Sequence, residues 1–285
     1  MKDYLHNLKE QFDKSLDEYF ICNFIDTSVL NQAIKYSVLN GGKRIRPILC
    51  LATNESCKGN IHDAMTSALA IELFHCSTLI HDDLPCMDDD DLRRGKPTCH
   101  IQFGEANAVL AGDALIIEAF NLIVKSNNPK LAIELAEATG SKGVIAGQVA
   151  DLAAERMTPS KDLIDFIHYQ KTAILIRASI RMGAITANVD QKTLELLTNF
   201  GEKIGIAFQI QDDILDETSS SDELGKPSGS DLKQSKMTYP SVYGMQTSIN
   251  RVKELTEEAI DSIGSLKLEN NNLEKVALNL VHRTS

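Results

Sequence analysis

The sequence predicts an all-α fold, a single large helical bundle of about ten helices around a central cavity, with residues 1–285 forming one domain. Three observations carry this. Apolar residues recur with helical spacing over long stretches rich in Ala, Leu, Ile and Glu, which are good helix formers. Breakers fall between those stretches rather than within them. Alternating strand patterns are almost absent, and no repeat of roughly 20–50 residues marks a solenoid.

Taken in order, VLNQAIKYSVL reads as a helix that ends at Asn40-Gly41-Gly42. Asn40-Gly41 resembles a hairpin turn, but no alternating strands flank it. Pro47 suits the first turn of the next helix, as Pro129 does later. AMTSALAIELFHCSTLI, AVLAGDALIIEAFNLIV and KLAIELAEATGSKGVIAGQVADLAAE follow, several nearly apolar all round, as expected in the middle of a bundle. In residues 162–188, Ile176, Ala178, Ile180 and Met182 alternate as in a strand. That segment is too long for a strand, has no proline and contains only Gly183, so helix is expected. A polar run, SSSDELGKPSGSD, breaks the chain at 219–231.

With 43 % hydrophobic and 24 % charged residues, the composition argues against disorder. A net charge of −11 argues against a general nucleic-acid or anionic-membrane binder, both of which need a basic surface. No apolar run approaches the ~18 residues of a membrane span, and the N-terminus lacks the apolar core of a signal peptide. A cytoplasmic location is the expectation. Six cysteines without a CxxC pair read as reduced thiols rather than a disulfide framework or zinc site.

The most unusual stretch is HDDLPCMDDDDLRRGKPTCH, residues 81–100, in which six of the ten residues from 82 to 91 are aspartates. Asp82 and Asp83 fall near a helix C-terminus, where the dipole disfavours negative charge. Leu84-Pro85 interrupts the helix, so a local break would swing Asp88 back beside Asp82. Carboxylates this close repel by about 4 kcal/mol per contact pair at intermediate dielectric. A bound divalent cation reverses the sign. A second cluster, FQIQDDILDE, carries Asp212, Asp213 and Asp216, with Asp212 and Asp216 on one face of an otherwise apolar helix. Two acidic clusters facing each other make a hard-oxygen cage that suits Mg²⁺ with substrate phosphates. A calcium loop is excluded, because no DxDxDG pattern occurs.

Phosphate needs cations. GGKRIRP supplies Lys43, Arg44 and Arg46 after a double glycine, and Arg93 and Arg94 follow the first cluster directly. Lys171, Lys226 and Lys236 are placed to meet the second. No Ser-His-Asp or Cys-His arrangement stands out.

GGKRIRP, HDDLPCMDDDDLRRGKPTCH, GQVADLAAE, KT, FQIQDDILD and LGKPSGSDLKQSKMTYP occur in the order found in the trans-isoprenyl diphosphate synthases. The sequence resembles a short-chain farnesyl or geranylgeranyl diphosphate synthase over residues 41–240. The resemblance implies a prenyltransferase that condenses isopentenyl diphosphate with an allylic diphosphate and releases pyrophosphate, usually as a homodimer. It implies three Mg²⁺ ions, with Asp82 and Asp88, beside Asp83, holding two, and Asp212 holding the third with support from Asp213 and Asp216. Lys43, Arg46 and His75 match the isopentenyl diphosphate pocket, with Arg94 beside them. Arg93, Lys171, Gln209, Lys226 and Lys236 match positions that contact the allylic diphosphate, and Thr172 and Gln209 place oxygens near the developing carbocation. Catalysis then falls chiefly on Asp82, Asp88, Arg93, Lys171 and Asp212.

His75 lies two turns before Asp82 on the same helix face, which favours a ligand role. His81 is either a partner of the site or a helix-end contact, and Cys76, Cys86 and Cys99 are expected to pack. Ser77 and Thr78, one turn before the cage, are small. Enzymes of this type that stop at fifteen carbons often carry a tyrosine at the position of Ser77, so a twenty-carbon product is preferred. A class I terpene cyclase and a non-catalytic regulatory subunit are the alternatives. The first is often lined with aromatics, which make up 5 % here with no tryptophan, and the second usually loses an aspartate motif.

Overall fold

The computed structural model describes residues 2–24, 28–155, 157–218 and 236–281, and these are helical almost throughout. Helix α1 (Lys2–Asn23) lays Leu8, Phe12, Leu16 and Phe20 into the core at four-residue spacing. Helix α2 (Val29–Leu39) is capped by Ser28, whose hydroxyl accepts from the Asn31 amide. Helices α3 (Ile45–Ser56) and α4 (Ile61–Asp82) then form the centre, where Leu49, Leu51, Ile71, Leu73 and Phe74 have almost no exposure. Burying each side chain of this kind is worth about 1.5–3 kcal/mol.

After the short α5 (Cys99–Phe103), α6 (Glu105–Lys125) packs along α4, and α7 (Pro129–Thr139) begins at Pro129 as the sequence predicts. Helix α8 (Val144–Ala154) follows. Then α9 (Lys161–Ile167), a π-helical turn (His168–Ala173) and α10 (Ile174–Thr186) form one continuous rod. The strand-like alternation at 176–182 therefore belongs to a helix. Most of it is buried, and only Arg177 and Arg181, one turn apart, are partly exposed, so the helical period is masked in so short a stretch. The long α11 (Gln191–Thr218), α12 (Tyr239–Tyr243), α13 (Met245–Ile263) and α14 (Asn272–Val281) complete the bundle.

Among the described residues, the helices are joined by one small hairpin, in which β1 (Leu92–Arg93) pairs antiparallel with β2 (Lys96–Pro97). Arg94 and Gly95, at φ 54° and 74°, form its two-residue turn, the positive-φ geometry that matches strand twist. Helix α6 is also long and apolar enough to cross a membrane by length and composition, although Asp113 and Glu118 interrupt the run. Its inner side packs on α4 and α2, while Leu110, Ile117 and Val124 are exposed.

Candidate active site

The first aspartate cluster caps α4. Asp82 is the last residue of the helix, and the chain turns sharply through Leu84-Pro85. The Asp88 amide donates to the Asp82 carbonyl at 2.9 Å, and the Asp89 amide to that of Leu84 at 3.1 Å, with Asp89 at φ 54°. The break expected at the proline thus folds Asp88 back onto the helix end. Asp83 diverges: it is 3 % exposed and takes both Nε and Nη2 of Arg93, each at 2.6 Å, on one oxygen. Burial outweighs that guanidinium and pushes the Asp83 carboxyl up to about 7.

Lys171 and Lys236, expected at the second cluster, stand at the first. Lys236 Nζ donates to Asp88 at 2.8 Å, and Lys171 Nζ donates to Asp151 on α8 at 2.6 Å. Although burial opposes its charge, Asp82, Asp151 and Asp88 together hold the Lys171 ammonium above its ordinary range. Asp82 is raised by burial and by the like charge of Asp88, and its carboxylate accepts from the Gln148 amide. Gln148 and Asp151 were not singled out from the sequence. Their spacing of three on α8, within the GQVAD stretch, is the signal that points to them. Gly147 lets α8 come this close, since a Cβ there would stand 2.3 Å from the Lys171 nitrogen.

The basic half of the site gathers around His75. Arg46 Nη1 lies 3.2 Å from His75 Nε2. Burial, then the charges of Arg46, Arg94, Arg93 and Arg44, drive the imidazole well below its ordinary range, so it is neutral. Arg94 donates to the Gly41 carbonyl and lies across the double glycine. A side chain at Gly42 (φ 128°) would meet the Arg94 guanidinium at 2.7 Å. Lys43 is exposed on the same loop. Arg44 plays a different part: it is 4 % exposed, in the left-handed region, and bonded to Glu72 at 2.8 Å, Asp13 at 3.0 Å and the Val38 carbonyl at 2.9 Å. It anchors the loop. By contrast, Arg46 Nε is buried with no partner among the described residues. Buried donors are rarely left so, and an anion satisfies one.

On α11, Asp212 and Asp216 share a face, but Asp216 is buried and Asp212 exposed. The Asp212 charge reaches Arg46, so the second motif fronts the basic pocket. Asp213 turns the other way and bonds within the protein. Thr172 donates to Gln209 Oε1 at 2.7 Å, which joins the two polar residues expected beside the reacting carbons. Lys226 lies outside the described residues. Among the described residues, no three His, Cys, Asp or Glu side chains stand close enough to hold an ion unaided, so the facing cage is not preassembled.

The remaining expectations divide. His81 is a helix-end contact: its Nε2 faces the Val109 carbonyl at 3.1 Å and Asp113 at 3.8 Å, with the ring against Gly112. Cys76 and Cys99 are buried and Cys86 is exposed, so Cys86 does not pack; all six cysteines are free. Ser77 is fully buried, its hydroxyl on the Phe74 carbonyl, while Thr78 is partly exposed.

Comparison with known proteins places this geometry. The polyprenyl synthetase family profile matches residues 27–273. The chloroplastic geranylgeranyl pyrophosphate synthase of Capsicum annuum is 46 % identical over 255 residues, covering 87 % of this chain and 69 % of that one. The solved structure of a Helicobacter pylori geranyltransferase complexed with magnesium and isoprenyl diphosphate aligns with TM-score 0.84 at 32 % identity, covering 98 % of this chain and 95 % of that one. A Zymomonas mobilis FPP/GFPP synthase aligns with TM-score 0.85 at 30 % identity over the whole of both chains. The chain belongs to the polyprenyl synthetase family and is a prenyltransferase of the short-chain trans-prenyl diphosphate synthase type.

Proposed function

We propose that the chain adds isopentenyl diphosphate to dimethylallyl, geranyl or farnesyl diphosphate, and that it releases a twenty-carbon product. The observation that carries this is the separation of charge. Arg46, with its unmet Nε, sits beside neutral His75 and Arg94 at one end, while Asp82, Asp88 and Asp151 surround Lys171 at the other. The first takes a diphosphate directly. The second is a set of hard carboxylate oxygens in which burial and the like charge of Asp88 raise the Asp82 carboxyl, and a divalent cation relieves that strain on the charged form. Asp82, Asp88, Asp151 and Asp212 would hold Mg²⁺, three ions by the resemblance, and these supply Lewis-acid stabilisation of the departing pyrophosphate.

The protein's own groups do the rest. Lys171, Lys236 and Arg93 neutralise the leaving group as the allylic C–O bond breaks. Arg46, His75 and Lys43 orient the isopentenyl double bond toward the allylic carbon. The new C–C bond forms, and the proton lost from the condensed cation goes to the released pyrophosphate. Thr172 and Gln209 turn oxygen toward the positive charge, and the apolar helices exclude water that would quench it. Twenty carbons is favoured by the small Ser77 and Thr78 and by the geranylgeranyl-synthesising relative.

The exposed apolar residues Leu110, Ile117 and Val124 on α6, with Ile145 and Val149 on α8, suit a second copy of the chain. The test of the activity is a product assay with Mg²⁺, labelled isopentenyl diphosphate and each allylic primer. A twenty-carbon alcohol after hydrolysis supports the full reading. A clean stop at fifteen overturns the product length, and no elongation from any primer favours a regulatory subunit.

A further inference from the structure

We infer that His168 is a positioning residue: with Asp213 it forms an anchor that docks residues 236–239, and that docking sets Lys236 against Asp88. The Asp213 carboxylate is 5 % exposed and accepts from three directions. Its Oδ2 takes the Tyr239 amide at 2.7 Å and faces His168 Nε2 at 3.1 Å, and its Oδ1 takes the Gln209 amide at 3.0 Å. Both oxygens are thus engaged by protein donors. Asp213 therefore serves as an internal anchor rather than as the metal ligand that the resemblance implies.

His168 opens the π-helical turn and is 3 % exposed. Its Nδ1 is buried without a partner among the described residues, so Asp213 is its polar contact. Its ring stacks on Tyr239 at 5.6 Å between centroids and 23° between planes, and Tyr239 stacks in turn on Tyr243 at 4.3 Å. One imidazole thus holds both the carboxylate and the residue whose amide that carboxylate receives. Three residues before Tyr239, Lys236 bonds Asp88. A π turn in a helix often marks a functional site, and here it carries His168 at its start and Lys171 and Thr172 near its end.

Hydrogen exchange in the substrate-free protein tests this directly, comparing wild type with His168→Phe, which keeps the ring stack but loses the donor, and with His168→Gln, which keeps a donor. Tyr239 in His168→Phe should exchange about fivefold faster, the loss expected of one hydrogen bond, with α4 protection unchanged and His168→Gln intermediate. The KM for the allylic diphosphate should rise while that for isopentenyl diphosphate stays constant. The kinetic readout rests on the diphosphate reading, whereas exchange needs no substrate and stands without it. Unchanged Tyr239 exchange, loss of protection throughout the fold, or equal rises in both KM values would overturn the inference. So would Asp213→Asn if it leaves Tyr239 exchange intact and raises the Mg²⁺ concentration needed for activity.

Discussion

The two ends of the site treat charge in opposite ways. At the His75 end, carboxylates are taken out of play: Glu72 and Asp13 are spent on Arg44, which leaves Arg46 with an unmet donor and His75 neutral. At the Asp82 end the carboxylates dominate, and Lys171 and Lys236 only partly balance them. Each end lacks what its substrate brings. An anion alone completes the first, and a cation with an anion completes the second.

The sharpest way to break this comparison is at Asp82. Asp82→Ala should lower kcat about a thousandfold or more, the scale on which preorganised charge acts, with the helical circular dichroism unchanged. Near-normal turnover would remove the metal reading of that end. Next comes the anchor of the basic end. Glu72→Gln breaks a buried pair with Arg44 and should cost about 3–5 kcal/mol of stability in urea unfolding, far more than any surface pair. Arg46→Met should raise KM for isopentenyl diphosphate about tenfold to a hundredfold, the value of charge-assisted bonds, and leave KM for the allylic substrate nearly unchanged. Equal effects on both substrates would mean that the two ends are not separate.

A smaller effect sharpens the contrast through pH. His75 binds its proton less readily folded than unfolded, where its pKa is about 6.5. The unfolded state therefore takes the proton first, and His75 costs stability as pH falls below 6.5, by up to about 1.4 kcal/mol per unit. Asp83 acts in reverse: raised to about 7, it favours the fold as pH falls from 7 toward the ordinary carboxylate range. The two oppose each other in wild type, so the difference between wild type and His75→Gln isolates the histidine. That difference should shrink as pH drops from 7 to 5, and a constant difference would place a charged imidazole in the pocket.

Local chemistry made much of this legible. The breaker at Pro85 predicted the fold-back of Asp88, and the double glycine with its basic run predicted the loop that meets Arg94, because both depend on backbone preferences within a few residues. Other parts were not legible. Lys171 was expected near the second cluster and stands at the first, because close approach at Gly147 brings α8 and Asp151 against the π turn. Asp213 and Asp212 are neighbours in the chain with opposite fates, which only the helices around α11 determine.

By itself, then, the sequence determined the helical class, the helix stops, the two acidic motifs and the presence of enough basic residues for two diphosphates. All of these follow from periodicity, from proline and glycine stereochemistry and from charge counted along the chain. Only the tertiary structure decided which cation faces which carboxylate, which arginine is an anchor and which is left for substrate, and that α4, α8 and α11 surround one site. Electrostatic energy and burial depend on distance through space, and pairs such as Asp88 and Lys236 are close there though far apart along the chain.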